Sequence, residues 1–126
     1  VEDFIAKKRY IAQQYQQGLA GLEDVTLMAA HPDATPIYWL YTILLGPNSS
    51  PDRRRRFVRD MEDRGINVRP LWMPINCLRP YIECQAYHIE HAIHLYNSAI
   101  SLPSSVGLTD ADLERTICAV RACVSK

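Results

Sequence analysis

The chain has 126 residues, 48% of them hydrophobic and 22% charged, which suits one globular domain with a modest core and leaves no room for two of ordinary size. Fourteen basic residues balance fourteen acidic ones, so the formal net charge is zero and the overall charge balance argues against a dedicated nucleic-acid binder. No apolar run reaches the roughly 18 to 20 residues of a membrane span, and the four cysteines include no Cys-x-x-Cys pair, as expected of reduced thiols in a cytoplasmic protein.

In chain order, Val1, Phe4, Ile5, Ile11, Ala12, Tyr15 and Leu19 recur at helical spacing and predict an amphipathic helix reaching Gly18 and a turn at Gly21. Nothing ahead of Val1 caps it, as expected of a chain cut inside a longer helix. Val25 to Met28 is a short apolar segment, and Pro32 and Pro36 exclude a helix from the linker after it. Ile37 to Leu45, β-branched and aromatic, predicts a strand ending at Gly46-Pro47-Asn48-Ser49-Ser50. Ser50 as N-cap, Pro51 at the first helical position and Gly65 after Arg64 bracket a helix over 51–64.

Ile66 to Trp72 predicts a further strand, and Pro70 to Pro80 an irregular segment. Ile89, Ala92, Ile93 and Tyr96 mark one face of a helix from about Cys84 to Ser98, followed by a short extended piece, Ala99 to Pro103. Thr109 caps the last helix, with Asp110 and Asp112 in its first turn and Leu113, Ile117, Val120 and Val124 as its buried stripe. Cys118 and Cys123 read as small core residues. There is no internal repeat and no low-complexity tract. The fold class is α/β: one domain with a small, mainly antiparallel sheet from the segments near 25–28, 37–45 and 66–72, covered largely on one face by helices.

The loudest charge run is Arg53 to Arg56, within a stretch from 51 to 70 that holds seven arginines and four acids. Four successive helical positions spread around the circumference and cannot converge on one ligand, so the run reads as a solvated face. His88, His91 and His94, with Cys84 before them, carry metal-capable atoms at helical spacing, but nothing completes a tetrahedral set, and no metal site is expected. Ser104 and Ser105 lack a Gly-x-Ser-x-Gly elbow, and no histidine is locally coupled to Cys77. Lys7, Lys8 and Lys126 are the only lysines, and none lies in a glycine-rich phosphate loop.

The site-like stretch is Arg69-Pro-Leu-Trp-Met-Pro-Ile-Asn-Cys-Leu-Arg-Pro-Tyr81. Arg69 suits bidentate pairing with a carboxylate or phosphate, Trp72 suits stacking on a sugar or base, and Asn76 suits hydroxyl recognition. The plainer alternative is a proline-stiffened loop that packs Trp72 and Tyr81 on the core.

Three stretches in order, Asp3 to Leu19, Gly65-Ile-Asn-Val-Arg-Pro-Leu-Trp72 and Ala99-Ile-Ser-Leu-Pro-Ser-Ser-Val-Gly-Leu-Thr-Asp110, together with the strand and helix between them, resemble the C-terminal domain of the DegT-type sugar aminotransferases, pyridoxal-phosphate enzymes of fold type I. The resemblance covers nearly the whole chain. It implies a fragment or truncated copy of a nucleotide-sugar aminotransferase, with glutamate as usual amino donor and a nucleotide-linked keto sugar as acceptor, in surface-polysaccharide precursor synthesis. It also implies a homodimer whose pyridoxal phosphate is bound mainly outside this chain, so that the isolated domain is inactive and binds none. Arg69 and Trp72 carry over as substrate-binding residues, and Asn76 stands near where relatives often have histidine, with Met73 at a position more often polar. From a different class, the alternative is a free-standing, non-catalytic binding or assembly module that uses the first helix and the Trp72 loop.

Overall fold

The computed structural model describes residues 1–46 and 50–124. Pro47, Asn48 and Ser49 of the expected loop, and Lys126, lie outside the described residues. Among the described residues, four helices and four strands follow one another: α1 (Glu2–Gly18), β1 (Val25–Leu27), β2 (Tyr41–Leu45), α2 (Pro51–Glu62), β3 (Arg69–Pro70), α3 (Glu90–Ser98), β4 (Ala99–Leu102) and α4 (Asp110–Val124). The strands form one antiparallel sheet in the order β1-β2-β4-β3. The expected α/β class and antiparallel sheet are therefore present. The short extended piece after α3, not among the segments expected to build the sheet, becomes an inner strand of it.

Alternation along β2 divides the two faces. Tyr41 and Ile43 stand opposite Leu102 and Ile100 in register, and this face carries the core. Ile11, Ala12, Tyr15 and Leu19 of α1, Phe57 and Met61 of α2, and Leu113, Val120 and Val124 of α4 close over it. On the other face Thr42 opposes Ser101, their hydroxyls 3.0 Å apart, and Leu44 opposes Ala99. That face forms an open apolar cleft of about 390 Å³ bordered by Met28, Leu71 and Leu95 among others.

Local chemistry sets the boundaries. Ser50 caps α2 by accepting the Arg53 amide, Pro51 opens it, and Gly65 leaves it with a positive φ of 70°. At α4, Thr109 Oγ1 accepts the Asp112 amide, and Asp112 accepts in return from the Thr109 hydroxyl at 2.6 Å and its amide at 3.3 Å. Those two bonds hold the Asp112 carboxyl below its ordinary range.

Several sequence expectations need correction. The strand expected over 37–45 begins only at Tyr41, because Tyr38 takes a left-handed backbone with φ of 50° that no strand accommodates. The strand expected over 66–72 shrinks to Arg69–Pro70 at the sheet edge, where a proline costs no ladder bond that the edge needs. The helix expected from Cys84 starts at Glu90. His88 has φ of 51°, and Ile82 and Tyr87 are exposed, so an earlier start would have no apolar surface to rest on. Ahead of that stretch, within and just past the segment expected to be irregular, the loop makes two single 3₁₀ turns, Ile75–Cys77 and Arg79–Tyr81. Cys118 is exposed and Cys123 half-buried, because the buried arc of α4 runs through Leu113, Thr116, Ala119, Val120 and Val124. At the start of α1, Val1 and Phe4 are exposed despite sharing the apolar stripe.

The arginine run is also less solvated than its composition suggests. Arg54 is buried, its guanidinium over the Tyr96 ring at 4.2 Å and donating to the Tyr96 carbonyl, which ties α2 to α3. Arg53 pairs with Asp24 at 3.2 Å, and Arg55 pairs with Asp52. Three of the four consecutive arginines thus serve the fold.

Candidate functional site

The loop from β3 to α3 leaves the edge of the sheet carrying the three candidate residues. Arg69 is fixed at its backbone by pairing in register with Ser101, while its side chain is exposed and pairs with no acid among the described residues. Pro70 and Pro74 limit how the chain can turn between them. Trp72 projects into solvent with 72% of its surface exposed. Asn76 is half-buried in the first 3₁₀ turn, and its side-chain amide donates to Cys77 Sγ at 3.7 Å. Arg69 and Trp72 therefore share one exposed stretch, whereas no described hydrogen bond links Asn76 to either. Met73 is also exposed.

A residue that the sequence reading assigned to a strand joins this site. Trp39, 67% exposed, stacks with Trp72 at a ring-centroid distance of 6.4 Å and an interplanar angle of 21°. Its backbone is held from two sides. The left-handed turn at Tyr38 sends the half-buried Tyr38 ring towards Tyr41 and the core. From α1, Lys8 Nζ donates to the Trp39 carbonyl at 2.7 Å and to the Ser104 carbonyl at 2.5 Å, and burial lowers the pKa of its ammonium group. The one available sequence signal was Pro36 shortly before an aromatic pair; the positive φ at Tyr38 follows from no simple pattern.

Elsewhere, among the described residues, no group of three or more His, Cys, Asp and Glu side chains is placed to hold a metal ion. No described helix is long and apolar enough to cross a membrane.

Residues 1–121 match the model of the DegT/DnrJ/EryC1/StrS aminotransferase family. The chain belongs to this family. GDP-perosamine synthase of Caulobacter vibrioides is 29% identical over 121 residues, covering 95% of this chain and 32% of the relative. GDP-perosamine synthase of Escherichia coli O157:H7 is 28% identical over 109 residues, covering 86% of this chain and 28% of the relative. The fold is that of a solved aminotransferase, TlmJ from Streptoalloteichus hindustanus, with a TM-score of 0.85 at 24% identity over 96% of this chain and 32% of that one. The chain thus spans about a third of the length of these relatives.

The DegT/DnrJ/EryC1/StrS family is pyridoxal-phosphate-dependent, and the described lysines do not suit the role of holding that cofactor. Lys7 Nζ lies 3.8 Å from Asp110 and over the Tyr10 ring. Lys8 is committed to two backbone carbonyls. The exposed groups of this loop and its neighbour are the Arg69 guanidinium, unpaired among the described residues, and the stacked indoles of Trp39 and Trp72.

Proposed function

We propose that this chain is the substrate-facing small domain of a nucleotide-sugar aminotransferase. In this reading Arg69, Trp72 and Asn76 bind a nucleotide-linked keto sugar, and residues outside this chain hold pyridoxal phosphate. The observation that carries it is the match of residues 1–121 to an aminotransferase family, combined with a guanidinium unpaired among the described residues and an exposed indole on one proline-stiffened loop. The cofactor, when bound, supplies the electron sink for moving the amino group. Arg69 neutralises diphosphate charge, Trp72 covers an apolar ring face, and the Asn76 amide orients a hydroxyl once it exchanges Cys77 for the ligand. Two GDP-perosamine synthases among the relatives favour a GDP-linked sugar as acceptor. Glutamate as donor, a cytoplasmic location and a homodimer complete the reading.

The test is to express the protein from its complete gene and supply pyridoxal phosphate, glutamate and a GDP-linked keto sugar. Mass spectrometry should find the amino sugar. Arg69→Ala should raise KM for the sugar nucleotide about ten- to hundredfold, the loss of a charge-assisted contact, with a smaller change in kcat. No amino-sugar product, or an unchanged KM, would remove the reading.

A second reading, a non-catalytic binding or assembly module, draws on the exposed Val1, which precedes α1, and Phe4 in its first turn, an apolar stripe without cover among the described residues. It requires the chain to associate through that stripe; sedimentation showing only monomer at high concentration counts against it.

A further inference from the structure

We infer that Trp39 is a ligand-binding residue, forming with Trp72 one stacking surface for the planar base of a nucleoside diphosphate. The inference rests on the reading that the Arg69–Trp72 loop faces a nucleotide sugar, and extends it to a residue from a separate part of the chain.

Scattered exposed apolar side chains are ordinary on protein surfaces. Here the chain's two tryptophans converge from distant positions and still leave about two-thirds or more of each exposed, so covering one another does not account for their placement. The near-parallel planes present flat π surface, which matches the face of a base. The support beneath Trp39 is costly to build. A non-glycine residue, Tyr38, is held in the left-handed region, and a lysine that burial discourages from carrying charge is fixed on the Trp39 carbonyl. Such support fixes the backbone at Trp39 in advance, which reduces the ordering cost of binding.

The surroundings favour a base over a pyranose ring. A sugar stacked on an indole also needs hydrogen-bonding groups around its rim, and the polar groups found at Trp39, Lys8 Nζ and Ser104 Oγ, both contact the Trp39 carbonyl. Arg69, three positions before Trp72 and unpaired among the described residues, supplies the cation that a diphosphate requires.

Because the only tryptophans in the chain are this pair, tryptophan emission reads the site directly. The 126-residue chain is titrated with GDP, UDP, mannose and inorganic pyrophosphate. GDP and UDP should quench emission saturably, and mannose and pyrophosphate should not at equal concentrations. Trp39→Leu, which keeps apolar bulk without a π face, should weaken GDP binding about five- to hundredfold, and Trp39→Phe should retain most of it. Quenching by mannose or pyrophosphate equal to that by GDP, or no quenching at millimolar GDP, overturns the inference. Equal GDP affinity of the Leu and Phe variants overturns it as well. If Trp39→Leu binds GDP normally while Trp72→Ala does not, the role of Trp39 fails and the loop reading survives. If GDP stacks as expected but the complete-gene product transfers no amine, the aminotransferase reading fails instead.

Discussion

Lys8 shows how a single side chain couples the core to the exposed site. Its ammonium joins the carbonyls of Trp39 and Ser104, so α1, the turn before β2 and the segment after β4 meet at one nitrogen. Lys8→Met keeps much of the stem's packing, takes the Lys8 donor from the Ser104 carbonyl and leaves the Trp39 carbonyl with the longer bond from the Ser104 hydroxyl at 3.4 Å. It should cost about 1.5 to 3 kcal/mol in a urea titration, the range for hydrogen bonds to charged groups, and diminish the near-ultraviolet dichroism of the tryptophan pair. Two core tyrosines separate a satisfied hydroxyl from an orphaned one. Tyr15 donates to the Pro103 carbonyl at 2.7 Å, whereas the buried Tyr41 hydroxyl finds no hydrogen-bond partner among the described residues. Tyr15→Phe should therefore destabilise by about 1 kcal/mol, and Tyr41→Phe should be neutral or stabilising. Burial pushes Tyr41 up to about 12 and raises Tyr15 as well. The unfolded chain then releases its phenolic protons first, so this contribution to stability is intact below about pH 10 and is lost as pH rises towards 12. Urea midpoints measured across that window should fall less steeply for Tyr41→Phe than for the parent.

Between elements, the contact of α1 with α4 depends on a missing side chain. A Cβ at Gly18 would sit 2.6 Å from Ile117 Cδ1 and 2.8 Å from its Cγ2, and Arg121 Nε holds the Gly18 carbonyl at 2.7 Å, so the two helices cannot slide apart freely. Overpacking of this kind costs about 1 to 3 kcal/mol, more than the helix propensity of about 1 kcal/mol that alanine adds. Gly18→Ala should therefore lower thermal stability by about 1 kcal/mol net, and combining it with Ile117→Val should cost less than the sum of the single changes. The helices were legible because capping and periodicity are local: Ser50-Pro51-Asp52 and Thr109 through Asp112 announce their starts within four residues. Strand lengths were not legible. Tyr38 and Trp39 have strand-forming side chains, yet a left-handed backbone at Tyr38 delays the start of the strand until Tyr41, and nothing in residue type encodes that. Cys84 to Ile89 has apolar and polar residues at helical spacing, but Ile82 and Tyr87 have no surface to bury against. For the candidate site, Arg69 and Trp72 were visible as a cation and an indole close in sequence. Trp39 could not be paired with them, because that proximity exists only once β4 has brought the edge strand and β2 into one sheet.

Across the whole molecule, the sheet order β1-β2-β4-β3 places the last strand between two that precede it. All four residues of β4 are buried, and both β2 and β3 depend on it for pairing. A chain stopped after Ser98 should retain some helical dichroism but show no cooperative unfolding transition and no slow-exchanging amides in Tyr41–Leu45. During ribosomal synthesis, when amino-terminal segments emerge first, the β1–β2 ribbon must wait with an open hydrogen-bonding edge until residues 99–102 leave the exit tunnel. The keystone is delivered late, and the interval before its arrival is when a nascent chain of this architecture is most exposed to pairing with a neighbour and most in need of a chaperone's shelter.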